Sequence, residues 1–89
     1  MELSERFIRT LEEEYPSVYE EQDAPDFVHP IQTNTSKMSV YITDGSLIFD
    51  FAGEIQEVIA NERFDIPVDT PYTLTAGSDG AIYIVGEET

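Results

Sequence analysis

The side chains of this sequence that are able to do acid–base or metal chemistry are many carboxylates and a single histidine, His29. Imidazole is a common general base, so His29 is the first candidate for proton transfer. Cysteine is absent, which excludes thiolate nucleophiles, disulfides and zinc sites of the Cys type. One histidine also excludes a His-rich metal site within one chain and gives no basis for a Ser-His-Asp arrangement.

Two carboxylate pairs, Asp50 with Glu54 and Glu62 with Asp65, have the composition of a glycosidase dyad or a calcium site. Their spacing matches neither an EF-hand nor another specific loop. With 19 acidic residues in the chain, such pairs arise by chance. The glycines of residues 77–80 are followed by no helical pattern, so they predict a hairpin turn and not a phosphate-binding loop.

The overall charge limits the classes of partner. The 89 residues hold 4 Lys and Arg against 19 Asp and Glu, a formal net charge of −15. Nucleic acid and anionic membrane surfaces need clustered cations, so neither is an expected partner. The hydrophobic content of 40% suffices for one core, and we predict one domain over residues 1–89.

The location of the acidic residues favours a folded acidic protein over an acidic tail. Residues 1–30 carry nine acids and two bases, and residues 31–89 carry ten and two. Adaptation to a high-salt cytoplasm explains this distribution, and so does an ordinary acidic protein. The polar N-terminus lacks the apolar run of a secretory signal, and no segment has the length of a spanning helix. We therefore expect a cytoplasmic protein.

Hydrophobic periodicity predicts one helix followed by strands. Leu3, Phe7, Leu11 and Tyr15 recur every four residues, and Pro16 ends the pattern, which indicates a helix over about residues 4–14. Its acidic C-terminal turn opposes the helix dipole, so the helix is expected to dock its apolar stripe outside a larger body. From residue 31 onward, six or more short β-branched or aromatic runs alternate with turn signals, one of which is Asp44-Gly45. This pattern predicts an antiparallel barrel or sandwich over about residues 17–86.

The second half of the chain resembles the cupins, small jelly-roll β-barrels. The second cupin motif reads G(X)5PXG(X)2H(X)3N, and residues 61–76, NERFDIPVDTPYTLTA, follow its spacing. Asn61 and Asp69 stand at the two glycine positions, Pro67 at the proline, Tyr72 at the histidine and Ala76 at the asparagine. The resemblance implies an all-β, cupin-like jelly-roll barrel of antiparallel strands with one short N-terminal α-helix.

The first cupin motif, G(X)5HXH(X)3,4E(X)6G, is found by counting back from Gly45. Its glutamate position falls on Met38 and its two histidine positions on Gln32 and Asn34. In cupins that hold iron, manganese, zinc or nickel, three histidines and one glutamate bind the ion. Amides, a thioether and a neutral phenol are poor ligands for those metals. The resemblance therefore implies no metal site and no cofactor in this chain.

The same resemblance places Gln32, Asn34, Met38 and Tyr72 inside the barrel. They are our candidates for a ligand-binding pocket that takes a small polar molecule or a sugar, although a filled core is the alternative. His29 lies an odd number of residues before Gln32, so a regular strand places it on the opposite face, at the rim. We assign it no catalytic role.

Three functions remain open. The favoured one is a metal-free cupin-like domain that binds a small polar ligand or a partner protein without catalysis. The second is a cofactor-independent isomerase- or epimerase-like enzyme that modifies a sugar or small molecule, with His29 and Tyr72 as acid and base. The third is a dimerisation or assembly module that forms a homodimer.

Overall fold

A computed structural model describes residues 3–88 of the chain, so residues 1, 2 and 89 of the predicted domain lie outside the described residues. It holds one helix and six strands. The helix α1 spans Leu3–Glu14, and the strands are β1 (Ser17–Asp23), β2 (Val28–Gln32), β3 (Met38–Phe51), β4 (Glu54–Ile59), β5 (Arg63–Ile66) and β6 (Tyr72–Glu87). The predicted antiparallel β fold with one N-terminal helix is confirmed.

Two long, bent strands organise the sheet. β3 and β6 pair with each other along their length. Because both strands are long, they run through both four-stranded halves of the sheet. One half has the order β2-β6-β3-β4, and the other has the order β1-β6-β3-β5. The halves fold toward each other around a common core, which gives a barrel-like shape, although within residues 3–88 the sheet does not close into a ring.

The bends lie where the sequence predicted turns. The Asp44-Gly45 pair was expected to separate two strands, and residues 77–80 to form a hairpin turn, but both segments lie inside continuous strands. Gly45 and Gly80 have φ values of 76° and 79°, which favour glycine. A Cβ atom on Gly45 would collide with the carbonyl oxygen of Gly80, so the two strands cross in close contact at their bends. The turn prediction was wrong because a glycine bend inside a strand leaves the same local signal as a hairpin.

The core fills the space between the two halves. Its centre consists of aliphatic and aromatic side chains from the inner faces of β3 and β6, with Val58 of β4 and Ile66 of β5. Phe49, Phe51 and Phe64 pack against one another with ring centroids 4.7–6.2 Å apart. These rings fill the side of the core near β4 and β5.

The helix docks on the outer face of the half that contains β1 and β5. Phe7 and Leu11 are buried there against Ile84, and the Leu3 side chain of the predicted stripe lies outside the described residues. Gly86 allows the close approach, because a Cβ atom at that position would lie 2.7 Å from the Tyr15 ring. This helix, the only one among residues 3–88, is too short and polar to cross a membrane.

Candidate functional site

A pocket of about 240 Å³ remains inside the barrel-like sheet on the side of β1 and β2. Its wall combines inner side chains of β1 and β2 with those of β3, β5 and β6. The residues that line it are Tyr19, Glu21, His29, Gln32, Met38, Val40, Ile66, Tyr72, Leu74, Tyr83, Val85 and Glu87. Gln32, Glu21 and Tyr19 are exposed, so the pocket is open to solvent on this side.

The four candidates from the cupin motifs come together at this pocket. The Asn34 side-chain amide donates to the Tyr72 hydroxyl at 2.9 Å, and its nitrogen lies 3.6 Å from the Met38 sulfur. Gln32 lies opposite Tyr72 in the pairing of β2 with β6. Gln32, Met38 and Tyr72 line the pocket, whereas Asn34 lies behind them and orients the phenol.

These groups do not fit a transition metal. The Asn34 amide directs its N–H groups toward Tyr72 and Met38, where a metal would need lone pairs. Tyr72 is only 2% exposed, and this burial raises the pKa of its hydroxyl, although the Asn34 hydrogen bond acts in the opposite direction. The phenol therefore stays neutral. Within residues 3–88 no three His, Cys, Asp or Glu side chains are grouped to hold an ion.

His29 lies on the inner face, so the prediction that it faces away from Gln32 was wrong. A bulge separates the two residues, because three steps along β2 face two steps along β6. Pro30 lies within this bulge and has no N–H to donate to a sheet ladder. The irregularity turns both His29 and Gln32 into the pocket.

A hydrogen-bonded group forms around His29. Its Nε2 lies 2.8 Å from Oδ2 of Asp23, and the same oxygen accepts the Tyr83 hydroxyl at 2.9 Å. Asp23 is the last residue of β1, and its side chain is only 7% exposed. An ionised carboxylate only accepts hydrogen bonds, so Nε2 carries the proton and Nδ1 is left as the second ring nitrogen. The arrangement orients the imidazole as an acid–base group does.

Two further phenols are held as hydrogen-bond donors. Burial, and then the hydrogen bond to Asp23, raises the pKa of Tyr83. Burial, and then a 2.6 Å hydrogen bond to Glu87, raises the pKa of Tyr19. Both groups stay protonated at neutral pH, and together with Tyr72 they place three neutral phenols at the pocket.

Sequence reasoning did not assign Asp23, Tyr83, Tyr19, Glu21 or Glu87 to the pocket, and it favoured a structural role for the two tyrosines. Three of them alternate along β1, at the start of the barrel that the sequence predicts over about residues 17–86. The signal that could have found them is the period of two in residues 19–23, which puts Tyr19, Glu21 and Asp23 on one face.

A larger surface groove, of about 480 Å³, lies over the two glycine bends. Its lining consists of three aspartates, of which Asp44 and Asp79 are exposed, and of Gln22, Ala24, Pro25, Ala81 and Ile82; the third aspartate is Asp23. It holds no aromatic side chain and no histidine. The interior pocket is therefore the better functional candidate.

Comparisons with known proteins agree with the fold. No family model matches the sequence, and no curated relative does. A solved RmlC-like cupin from Shewanella frigidimarina is 11% identical, with a TM-score of 0.66 over 81% of this chain and 65% of that one. The polyketide cyclase RemF from Streptomyces resistomycificus is 20% identical, with a TM-score of 0.68 over 81% of this chain and 54% of that one.

Oxalate decarboxylase from Bacillus subtilis, a protein with Mn(II) centres, is 19% identical. Its TM-score is 0.68 over 79% of this chain, but only 20% of that one. The chain therefore spans between a fifth and two thirds of the length of these structures. At such identities the likeness shows the fold alone, and the resemblance to cupins is confirmed at that level.

Proposed function

We propose that this chain, which has the cupin fold, is a metal-independent binding protein that takes a small polar ligand into its interior pocket. The observation that carries the proposal is the replacement of the metal-binding positions by a polar, hydrogen-bonded set that leaves about 240 Å³ of open space. A filled core would need no such space.

The chemistry of the wall suits a polar molecule. The exposed Gln32 amide and the Tyr72 hydroxyl provide hydrogen-bond donors. The hydroxyl oxygens of Tyr19 and Tyr83, whose protons are donated to Glu87 and Asp23, provide acceptors. Leu74, Val40 and Ile66 provide an apolar floor on which a small carbon skeleton can pack. Partly apolar pockets with a few fixed polar groups are typical of small-molecule sites.

The proposal is tested by titrating ¹⁵N-labelled protein with glucose, glycerol, glycine, pyruvate and choline as separate probes. At least one probe is expected to shift the amide resonances of His29, Ile31, Gln32 and residues 72–74 in a saturable way. The Gln32→Ala variant should weaken that binding about fivefold through one lost hydrogen bond. Thr33→Ala, the adjacent exposed residue outside the pocket wall, is the matched control. Shifts that map outside the pocket for all five probes contradict the proposal.

A second candidate, a cofactor-independent acid–base enzyme, is favoured by the hydrogen bond between His29 and Asp23. Nδ1 of His29 can take a proton from a carbon next to a carbonyl group while Asp23 supports the resulting imidazolium. The structure supplies Tyr83 beside His29, whereas the sequence suggested Tyr72 as its partner.

Hydrogen–deuterium exchange distinguishes this enzyme from a binding protein. Dihydroxyacetone in D₂O, followed by ¹H NMR, should lose its carbon-bound protons faster with the wild-type protein than with His29→Gln or Asp23→Asn. Equal rates for the wild type and His29→Gln contradict an acid–base role and leave the binding proposal intact.

A further inference from the structure

The charges around the pocket have one sign. Glu21 and Glu87 line it, and Asp23 lies directly behind His29. Among the residues that line the pocket none is Lys or Arg. Within residues 3–88 the structure pairs neither Glu21 nor Glu87 with a cation. An anionic ligand would therefore meet carboxylates without a Lys or Arg side chain to compensate them.

The cations of the chain are placed elsewhere. Arg6 and Arg9 belong to the helix on the outer face, and Lys37 lines a separate surface groove. Arg63 binds both oxygens of Glu14 and one oxygen of Asp65. The net charge of −15 extends the negative potential of the pocket over the rest of the molecule.

Aromatic side chains lie next to the carboxylates of the pocket. Tyr19 lies beside Glu87, Tyr83 lies beside Asp23, and Tyr72 also lines the pocket. Phenol rings attract cations through their electron-rich faces, and the attraction is strongest for an ammonium group that is partly removed from water. Carboxylates next to aromatic rings in a cavity thus complement an alkylammonium ion better than a sugar.

We infer that the ligand of this pocket is a small organic cation with a substituted ammonium group and an apolar skeleton. This inference rests on the proposed binding function and names its ligand class. The Glu21 and Glu87 carboxylates provide the charge, the tyrosine rings surround the methyl or methylene groups, and Gln32 binds a polar substituent.

Three probes of nearly equal shape isolate the charge. Choline carries a trimethylammonium group, 3,3-dimethylbutan-1-ol is its uncharged carbon counterpart, and 3,3-dimethylbutanoate is an anion of similar size. Calorimetry and NMR shifts of residues 29–32 should show choline binding at least about tenfold more tightly than the alcohol, with no binding of the anion. Raising potassium chloride from 0.05 to 0.5 M should weaken the binding of choline more than the binding of the alcohol, because salt screens the carboxylates.

Matched variants identify the carboxylates responsible. The double variant Glu21→Gln with Glu87→Gln should lose about tenfold more in choline affinity than in affinity for the alcohol, because only choline carries a charge. The control is Glu20→Gln with Glu88→Gln, which removes the same two charges one residue away, outside the pocket wall. Both double variants lower the negative charge by two, so long-range effects of net charge are closely matched. Glu20 and Glu21 point to opposite faces of β1, so only the first variant changes the pocket wall.

The outcomes distinguish a wrong ligand class from a failure of the proposed binding function. If the alcohol binds in the pocket as tightly as choline, or if both double variants weaken choline equally, the inference is overturned while the binding pocket stands. If none of the three probes shifts the pocket resonances, the inference is overturned as well. The binding proposal then depends on the remaining probes of the first titration.

Discussion

At the scale of single residues, the pocket depends on hydrogen bonds that align side chains distant in sequence. The Asn34 amide holds the Tyr72 hydroxyl 38 positions away, and Asp23 joins His29 to Tyr83. A buried phenol that loses its partner keeps an unsatisfied polar group, which costs about 1–3 kcal/mol. The pocket wall is therefore a coupled structure in which each polar residue supports the next.

The contact among the four motif positions leads to a test of their alignment with the cupin motifs. The quadruple variant Gln32→His, Asn34→His, Met38→Glu and Tyr72→His restores the ligand set of metal-binding cupins. Because Asn34 touches both Met38 and Tyr72, the new imidazoles and carboxylate should share one ion. Calorimetry should detect zinc or nickel binding in this variant and none in the parent.

Two controls accompany that measurement. The double variant Gln32→His with Asn34→His supplies only part of the set and should bind zinc more weakly than the quadruple variant. Elemental analysis of the parent should find no stoichiometric metal, and tight one-to-one metal there would contradict the prediction. A folded quadruple variant that gains no metal would show that the first motif is misplaced.

At the scale of elements, the helix is held by an apolar stripe and by an ionic contact at its end. Phe7 stacks on Tyr41 with ring centroids 4.0 Å apart, and Leu11 is buried against Ile84. The acidic C-terminal turn, which the sequence marks as unfavourable, is compensated by Arg63 of β5. Its guanidinium binds Glu14 through two hydrogen bonds of 2.6 and 2.8 Å.

This contact predicts a pH-dependent contribution to stability. The Arg63 hydrogen bond lowers the pKa of Glu14. Burial opposes ionisation of Asp65, but hydrogen bonds from Ser39 and Arg63 together lower its pKa. A carboxyl group with a lowered folded-state pKa stabilises the fold above its unfolded pKa of about 4 and loses that contribution as the pH falls.

Arg63→Gln should therefore reduce the free energy of unfolding by only about 1 kcal/mol at pH 7, since the partner side chains Glu14 and Asp65 are 44% and 71% exposed and solvent screens the ion pairs. Urea unfolding should show this difference from the wild type shrinking between about pH 5 and pH 3. Arg9→Gln removes the same charge from an exposed helix position and is the control. A difference that stays constant across this pH range would contradict the assignment.

At the scale of the whole molecule, stability is opposed by the net charge of −15 spread over a single small fold. With a Cα radius of gyration of 12.3 Å, many of these charges lie within about one Debye length, 10 Å at 0.1 M salt. Their mutual repulsion is thus only partly screened under ordinary conditions. Both origins of the acidity, adaptation to high salt and ordinary composition, remain hypotheses.

Potassium chloride from 0.1 to 2 M should accordingly raise the Tm. The rise should be steepest below about 1 M, where the Debye length falls to about 3 Å and screening is nearly complete. Differential scanning calorimetry provides the measurement. A flat or falling Tm would remove the argument for a high-salt origin without affecting the fold.

Exposed apolar side chains on two strands are relevant to association between copies of the chain. Val28 and Ile31 on β2 are exposed, and so are Ile55 and Ile59 on β4. β2 and β4 are edge strands within residues 3–88, and such edges are a common site of pairing with another chain. The homodimer expected from the sequence remains a prediction, which sedimentation equilibrium tests.

The sequence by itself determined the class of fold and the place of the helix. The four-residue period of α1 and the alternating runs after residue 31 are local patterns, and local patterns follow from the geometry of single elements. The resemblance to the cupin motifs likewise placed Gln32, Asn34, Met38 and Tyr72 together, because residues at these motif positions lie side by side in the cupin fold. Only their ability to bind a ligand awaits experiment.

The tertiary structure decided the rest of the site. The bulge at Pro30 reversed the face of His29, and the bends at Gly45 and Gly80 joined four predicted strands into two. The contact of His29 with Asp23 exists only because β1 and β2 pair with different parts of β6. Strand register is set by pairing between segments far apart in the chain, so no local pattern contains it.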